Sequence, residues 1–256
     1  MARPHVEFVQ SFDVPPDRVP SGPFAGAERR LLSEDAETGA STSLVAIPAG
    51  RALELGGQER PLELFALSGI GELAGSPLRA GTYAYVPSGS AAAPLTVASD
   101  ALVLSMVEER RPGGDDGEVL VVDTEALRWQ DRSIAAVPPG LTIKRLRVDE
   151  QTGERTWLAA CVPGWCEDRA EVHPTVEEAF LIRGDTLLGE RGEMTAGCYF
   201  WRPPLVRHGP MTTRDGCLVF FRTKGGGLEV EYEDVPGWQG LVEAYLARSP
   251  YFSAPG

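Results

Sequence analysis

The sequence of 256 residues lacks the features that mark export, membrane insertion or nucleic-acid binding. No apolar run approaches the roughly 20 residues that a helix needs to cross a bilayer, and the first residues contain no apolar segment of the signal-peptide type. Basic residues are outnumbered, with 24 Lys and Arg against 37 Asp and Glu, and the resulting charge of −13 would repel a phosphate-rich partner. We therefore expect a cytoplasmic protein that binds neither membranes nor nucleic acid.

Cysteine and histidine are also scarce, with four and three residues respectively. The cysteines show no C-x-x-C spacing, so we expect them to be buried thiols rather than disulfides in a cytoplasmic protein. They are Cys161, Cys166, Cys198 and Cys217. His5 lies near the N-terminus outside any motif, and we expect it on the surface. His173 and His208 both lie in the second half of the chain.

The two halves of the chain resemble each other at an offset of 114 to 116 residues. Residues 26–50 match residues 140–164 at nine of 25 positions without a gap, and residues 81–87 (GTYAYVP) match residues 197–203 (GCYFWRP). The segment 110–117 between the copies is polar and rich in Pro and Gly, which is typical of a linker. We therefore predict two domains, residues 1–112 and residues 118–256.

The pattern within each copy is that of an all-β protein. Short runs of β-branched and aromatic residues alternate with turns rich in Gly, Pro, Asp and Ser, and residues 149–153 (DEQTG) indicate a hairpin turn. The strand-length runs are 42–47, 62–67, 101–107, 119–122, 142–146, 180–182, 198–201 and 218–221. The only helix that the apolar spacing predicts is a short one near the C-terminus, at about residues 239–248. Many short, evenly spaced strands favour a sandwich or a barrel.

Two segments of the second copy carry residues with a specific spacing. In residues 171–184, His173 precedes Glu177 by four positions and a Gly follows seven positions later; in residues 197–208, a Gly, a Pro and His208 are spaced by six and five. This spacing resembles the paired motifs of the cupin superfamily, H-x-H-x(3,4)-E-x(6)-G and G-x(5)-P-x-G-x(2)-H. Two positions differ from those motifs, because Glu171 replaces the first His and Leu205 replaces the second Gly.

Within that superfamily the chain most resembles the ChrR-like cupins. Residues 177–184 correspond to their E-E-x-x-x-L-x-G strand and residues 197–204 to their G-x-Y-x-x-x-P-P segment. The resemblance spans residues 26–107 and 140–222. It implies two tandem jelly-roll β-barrels, which together form a bicupin with a short C-terminal helix.

The resemblance also implies a metal site in the second barrel, formed by His173, Glu177 and His208. Such a 2-His-1-carboxylate set suits non-haem Fe(II) and can also hold Zn, Mn or Ni. We expect one divalent ion. Side chains alternate across a strand, so Glu171 shares the inner face with His173, whereas Glu178 is expected to point outward into solvent. Glu171 is then a fourth ligand, a hydrogen-bond acceptor behind a ligand, or a general base.

The first copy lacks every one of these ligands. The positions equivalent to Glu171, His173, Glu177 and His208 hold Gly56, Gln58, Leu62 and Ala92. We therefore expect a degenerate N-terminal barrel that serves packing, dimerisation or the shape of the entrance.

Our leading hypothesis is a metal-dependent dioxygenase that acts on a small organic molecule in the C-terminal barrel, with Glu171 orienting or deprotonating the substrate if it is not a ligand. One alternative is a cupin that binds or senses a small molecule or metal without catalysis. Another is a metal-dependent isomerase or lyase that needs no O₂. The fold resemblance does not choose among these activities, or even decide whether the chain is an enzyme. A homodimer is compatible with each of them.

Overall fold

The computed structural model describes residues 3–110, 117–131 and 137–249. β-Strands dominate these residues, with 3₁₀ turns at Ser11–Asp13 and Gly189–Arg191 and an α-helix, α1, at Gln239–Leu246. The strands are β1 (Val6–Gln10), β2 (Asp17–Arg18), β3 (Glu28–Glu34), β4 (Ser41–Ile47), β5 (Ala52–Glu54), β6 (Leu62–Ser68), β7 (Gly71–Leu73), β8 (Ser76–Leu78), β9 (Thr82–Val86), β10 (Pro94–Val97), β11 (Ala101–Val107), β12 (Leu120–Asp123), β13 (Gln130–Asp131), β14 (Leu141–Val148), β15 (Arg155–Cys161), β16 (Cys166–Glu167), β17 (Arg169–Val172), β18 (Val176–Leu188), β19 (Glu193–Thr195), β20 (Cys198–Arg202), β21 (Met211–Thr212), β22 (Cys217–Lys224) and β23 (Glu231–Asp234). The predicted β-rich architecture with a short C-terminal helix is confirmed.

Contacts between Cα atoms divide the chain into two compact units. Unit 1 contains residues 1–4 and 11–127, and unit 2 contains residues 5–10 and 128–256. Residues 111–116, which hold most of the linker expected between the copies, lie outside the described residues. The domain limits at residues 112 and 118 stay a prediction.

Unit 1 consists of a seven-stranded antiparallel sheet in the order β12-β9-β6-β11-β4-β3-β2 and a four-stranded sheet in the order β5-β10-β7-β8. Its hydrophobic core takes side chains from both sheets, such as Leu64 and Val103 from the larger and Leu73 and Leu95 from the smaller. All four are buried. The core of unit 1 is therefore the apolar layer between two sheets, which requires the alternation of apolar residues along each strand.

Unit 2 is built on a sheet in the order β1-β20-β18-β22-β15-β14-β13, with β16, β19 and β21 attached through the long strand β18 and its partners. Strands β17 and β23 form a separate antiparallel pair. Helix α1 packs through Tyr245 and Val242 against Leu187 near the end of β18. Leu241 of the same helix is 41% exposed.

The sequence repeat is reproduced strand by strand in the two main sheets. In unit 1, Leu62 of β6 pairs with Val86 of β9. At the same position in unit 2, Glu177 of β18 pairs with Arg202 of β20. Offsets of 115 and 116 relate these residues, so the two copies share one ladder register. The hairpin turn at residues 149–153 is also present, because β14 ends before it and β15 begins after it.

The outer strand of each main sheet comes from an unexpected part of the chain. β12, which follows the first copy, pairs with β9 in unit 1. The corresponding place in unit 2, beside β20, is taken by β1 from the N-terminus. Each of these two edge strands lies outside the repeated segment of its own unit.

Both main sheets run from one edge strand to another, and no closed barrel is found among the described residues. The two-barrel arrangement stays a prediction. Across the described part of the chain, no helix is long and apolar enough to cross a membrane.

Candidate metal centre

The backbone of unit 2 brings the second-copy motif residues together. Glu171 lies on β17, and its N–H and C=O exchange hydrogen bonds with the C=O and N–H of His208 at 2.8 and 3.1 Å. Two residues further on, the carbonyl of His173 accepts a hydrogen bond from the N–H of Leu205 at 2.8 Å. Glu177 stands at the start of β18. Glu171, His173 and Glu177 are thus close in sequence, and the bridge between Glu171 and His208 brings the fourth side chain into the same cluster.

Donor atoms of the cluster lie within a few ångströms of one another. Oε2 of Glu171 is 3.5 Å from Nε2 of His173 and 3.8 Å from Nε2 of His208. Oε2 of Glu177 is 3.3 Å from Nε2 of His208, and Oε1 of Glu177 is 4.0 Å from Nε2 of His173. The ligand atoms of Glu171, His173 and His208 form one group within 4.8 Å that could hold a metal ion. Ligands bound about 2.1 Å from one ion lie about 3 to 4 Å apart, so these separations suit a single divalent ion.

Each histidine is oriented by a hydrogen bond at its other ring nitrogen. Nδ1 of His173 lies 2.8 Å from the carbonyl of Glu229, and Nδ1 of His208 lies 3.1 Å from the carbonyl of Val206. A carbonyl only accepts, so each Nδ1 carries a proton, and each Nε2 is the ring nitrogen left to bind a metal ion. Both Nε2 atoms are buried and make no hydrogen bond within the described structure. Two buried ring nitrogens that make no hydrogen bond and face two carboxylates are an arrangement that a metal ion satisfies.

Arg202 holds Glu177 from the neighbouring strand. Its Nη1 donates a hydrogen bond to Oε2 of Glu177 at 3.0 Å, and its guanidinium lies 3.6 Å from the centre of the Phe200 ring. Both Arg202 and Glu177 are buried. The sequence motifs do not include Arg202, although it is the one charged residue in the aromatic strand CYFWR. A charged residue within an aromatic strand is the sequence feature that points to a functional role for Arg202.

Burial and neighbouring charges shift the pKa values of the cluster in opposite directions. Burial lowers the pKa of His208 to about 4 despite the nearby Glu177 carboxylate. Burial also acts against the charged form of His173, but Glu171 and Glu177 outweigh it and raise the pKa to about 9. Burial raises the pKa of Glu171. For Glu177 burial is opposed by His208, His173 and Arg202, which together lower its pKa. Two adjacent carboxylates of different acidity can divide proton storage and charge stabilisation between them.

A cavity of about 160 Å³ adjoins the cluster. Glu171, Glu177 and Arg202 line it together with aliphatic and aromatic side chains such as Leu181 and Phe221. An apolar cavity of about 150 Å³ holds a molecule the size of benzene. The arrangement therefore combines a polar cluster with an apolar space that suits a small organic molecule.

Glu178 is buried, and Leu205 preserves the backbone conformation of the motif glycine that it replaces. Glu178 is 2% exposed rather than solvated, because it accepts hydrogen bonds from the Tyr199 hydroxyl at 2.6 Å and from Nε of Arg222 at 2.7 Å. The prediction that Glu178 is solvated was therefore wrong. Leu205 keeps the left-handed backbone conformation that the motif glycine would supply, with φ 65°, and its side chain is 71% exposed. The turn is therefore kept.

In unit 1 the equivalent positions are filled without ligands. Leu62 is buried in the hydrophobic core, and the side-chain amide of Gln58 donates to the carbonyl of Gly56. A side chain at Gly56 would have little room, since a Cβ atom there would lie 2.9 Å from the backbone nitrogen of Ala93. The described part of unit 1 contains no cluster of three or more potential metal ligands.

Comparisons with solved structures identify the fold. A candidate dioxygenase from Nostoc punctiforme matches with a TM-score of 0.76 and 23% identity, over 90% of this chain and 87% of that one. A cupin 2 conserved barrel domain protein from Leptotrichia buccalis has a TM-score of 0.58 and 8% identity, over 86% and 97%. A deletion mutant of oxalate decarboxylase from Bacillus subtilis has a TM-score of 0.59 and 12% identity, over 96% and 84%. The chain is thus similar to cupin-fold proteins along most of its length.

Sequence comparisons give a family but no activity. No curated protein matches the chain significantly. Residues 9–230 match the family model DUF4437, described as a domain of unknown function, and they include both repeats and the whole metal cluster. The chain therefore belongs to the DUF4437 family and has the fold of the cupin superfamily.

Proposed function

We propose that the chain is a bicupin of the ChrR-like type that binds one divalent metal ion in unit 2 and acts as a dioxygenase on a small organic molecule. The observation that carries the proposal is the pair of buried Nε2 atoms, His173 and His208, which face carboxylate oxygens beside an apolar cavity. His173, His208 and Glu171 would hold the ion, and Glu177 would either join them or stabilise the charge beside them. The proposed activity also agrees with the description of the Nostoc punctiforme protein.

A redox-active ion such as Fe(II), when bound, supplies Lewis acidity and the capacity to react with O₂. The protein residues have other tasks. The apolar wall of the cavity, including Leu181 and Phe221, excludes water and orients the carbon skeleton of the substrate. Arg202 fixes Glu177 and places a positive charge beside the substrate, where it stabilises developing negative charge on oxygen. If Glu171 is not a ligand, its carboxylate, which lines the cavity, would receive a proton from a substrate hydroxyl or C–H group.

Metal binding is tested with the full chain after chelation and reloading with Fe(II), Mn(II), Ni(II) or Zn(II) separately. Elemental analysis and titration calorimetry should give about one ion per chain for the wild type and for the control His5→Ala, whose imidazole lies outside the cluster. His173→Ala and His208→Ala should lose that ion while circular dichroism stays unchanged. Equal affinity in His208→Ala, or no uptake of any ion by the wild type, would refute the site.

The roles of the two carboxylates are separated by Glu171→Gln and Glu177→Gln. Loss of a hydrogen-bonded partner of a ligand lowers metal affinity by about 10- to 100-fold, and loss of a ligand should lower it at least as much. We expect the larger loss for Glu171→Gln, because Glu171 belongs to the tighter donor group and Glu177 is already held by Arg202. An unchanged affinity in Glu171→Gln would assign it a role outside the ligand set.

The dioxygenase activity is tested separately with an oxygen electrode. The Fe(II)-loaded protein is supplied with diketones, dihydroxy-aromatic compounds and hydroxy-ketones, and O₂ uptake should accompany substrate loss. A second candidate is an O₂-independent lyase, favoured by the fold likeness to oxalate decarboxylases and by the Glu171 carboxylate, which lines the cavity and whose pKa is raised by burial. Substrate loss at an equal rate under argon would support the lyase and refute the dioxygenase.

A further inference from the structure

Cys161 and Cys217 lie directly opposite each other on neighbouring strands of unit 2. Cys161 ends β15, Cys217 begins β22, and the two are Cα partners in the antiparallel ladder. Opposed residues in such a ladder have Cα atoms about 4.5 or 5.5 Å apart, and a disulfide spans about 4.4–6.8 Å. The same ladder position in unit 1 holds Ile47 and Ala101, so the thiol pair is a feature of the second copy only.

Both thiols can be reached by a small molecule. Cys161 and Cys217 are free, only partly buried, and both line the cavity of about 160 Å³. Neither residue belongs to the cluster that could hold a metal ion. Hydrogen peroxide, which is only slightly larger than water, fits this space and can approach the two sulfur atoms from it.

The two sulfur atoms are chemically unequal. Hydrogen bonds from Cys161 and Thr186 lower the pKa of Cys217. The same interaction, together with burial, raises the pKa of Cys161 well above its usual range. Thiolate is the reactive form of cysteine, so Cys217 is the better nucleophile and Cys161 remains a thiol.

We infer that Cys161 and Cys217 form a peroxide-reactive dithiol that closes into an intramolecular disulfide in the cavity wall. The Cys217 thiolate attacks one oxygen of H₂O₂, the O–O bond breaks, and hydroxide leaves, which gives a sulfenic acid. The Cys161 sulfur then attacks the Cys217 sulfur, the S–O bond breaks, and water leaves. The peroxide gains two electrons, the two thiols lose two, and the hydroxide takes up the proton lost by Cys217, so that each disulfide yields two waters.

The inference does not depend on the proposed metal activity, and chelator-treated full-length protein is used so that no metal-driven oxidation contributes. The reduced protein is exposed to one equivalent of H₂O₂, alkylated with iodoacetamide and analysed by intact mass and peptide mapping. The wild type should retain two alkylated cysteines, Cys166 and Cys198, and yield a cross-linked peptide that joins Cys161 to Cys217. Dithiothreitol should restore four alkylated cysteines.

Single substitutions assign the order of the two steps. Cys161→Ser should accumulate a sulfenic acid at Cys217 that dimedone traps, whereas Cys217→Ser should leave Cys161 reduced at the same dose. The matched control Cys166→Ala, which removes a half-buried thiol outside the pair, should form the disulfide as the wild type does. Alkylation of all four cysteines in peroxide-treated wild type, a cross-link between other cysteines, or oxidation of Cys217 only to sulfinic acid would overturn the inference. The cross-link in the peroxide-treated wild type tests the inference even if a variant fails to fold.

Discussion

Replacement of Leu205 by glycine should stabilise the protein. The residue has φ 65° and its side chain is 71% exposed. An L-residue in the left-handed region costs about 1–2 kcal/mol, and Leu205→Gly removes that cost while little apolar contact is lost. Glycine also gains freedom in the unfolded chain, which costs about 0.4–1 kcal/mol. The difference favours the folded state by about 0.5–1 kcal/mol.

Urea unfolding followed by circular dichroism measures this effect. We expect a higher midpoint with an unchanged m-value for Leu205→Gly. The matched control is Val162→Gly in the same unit. Val162 is 54% exposed but is not among the left-handed residues. Glycine there brings only the entropic cost and should destabilise by about 0.5–1 kcal/mol.

The opposite substitution tests the link between this turn and the metal cluster. Leu205→Val places a β-branched side chain in the left-handed region, where such residues are genuine outliers. Because the N–H of Leu205 donates to the carbonyl of His173, the variant should lose both stability and metal affinity. Leu205→Gly should bind metal as the wild type does. If Leu205→Gly is destabilised as strongly as Val162→Gly, the reasoning about backbone strain is refuted.

Two further predictions concern the metal-free protein and a motif glycine. In NMR titrations His173 should stay charged until about pH 9, and His208 should stay neutral down to about pH 4. The stabilisation from His173 is then complete below its unfolded pKa of about 6.5 and is lost as the pH rises to about 9. The stabilisation from His208 is complete above about pH 6.5 and is lost as the pH falls to about 4. Titration of both rings near pH 6.5 would contradict the burial and charge argument. Gly184→Ala should destabilise the folded protein by at least about 2 kcal/mol more than Gly225→Ala. The two glycines have nearly equal φ values, 81° and 80°, so backbone strain is matched. Only at Gly184 would a Cβ atom meet a carbonyl oxygen, that of Gly216 at 1.8 Å. Equal melting temperatures for the two variants would count against a steric role for the motif glycine.

Features that depend on neighbouring residues were predictable from the sequence. In the hairpin turn at residues 149–153, the Asp149 carboxylate accepts hydrogen bonds from the N–H groups of Gln151 and Thr152 at 3.0 and 3.1 Å. Asp35 does the same in the first copy, with Glu37 and Thr38. An Asp that caps its own turn leaves a local pattern, which is why the hairpin turn at residues 149–153 is predictable from the sequence.

Features that depend on the opposite strand were not predictable in this way. Strand alternation correctly separated Glu177 from Glu178, but it does not reveal that Tyr199 and Arg222 on the two adjacent strands enclose Glu178. Arg202 reaches Glu177 through a cross-strand register that the motif spacing does not contain. Alternation assigns a face, whereas burial depends on what lies against that face.

The origin of the edge strand β1 has a consequence for synthesis on the ribosome. This strand is made before its partner β20, which begins at Cys198, roughly 190 residues later. At about 5–20 residues per second, β1 must wait about 10–40 s with its backbone hydrogen-bonding groups unpaired. During that interval the N-terminal strand is a natural substrate for a chaperone, and a second nascent chain could capture it. Expression of residues 1–112 or of residues 118–256 alone would leave a main sheet without one of its edge strands, because β12 and β1 would then be missing from the sheets that they complete.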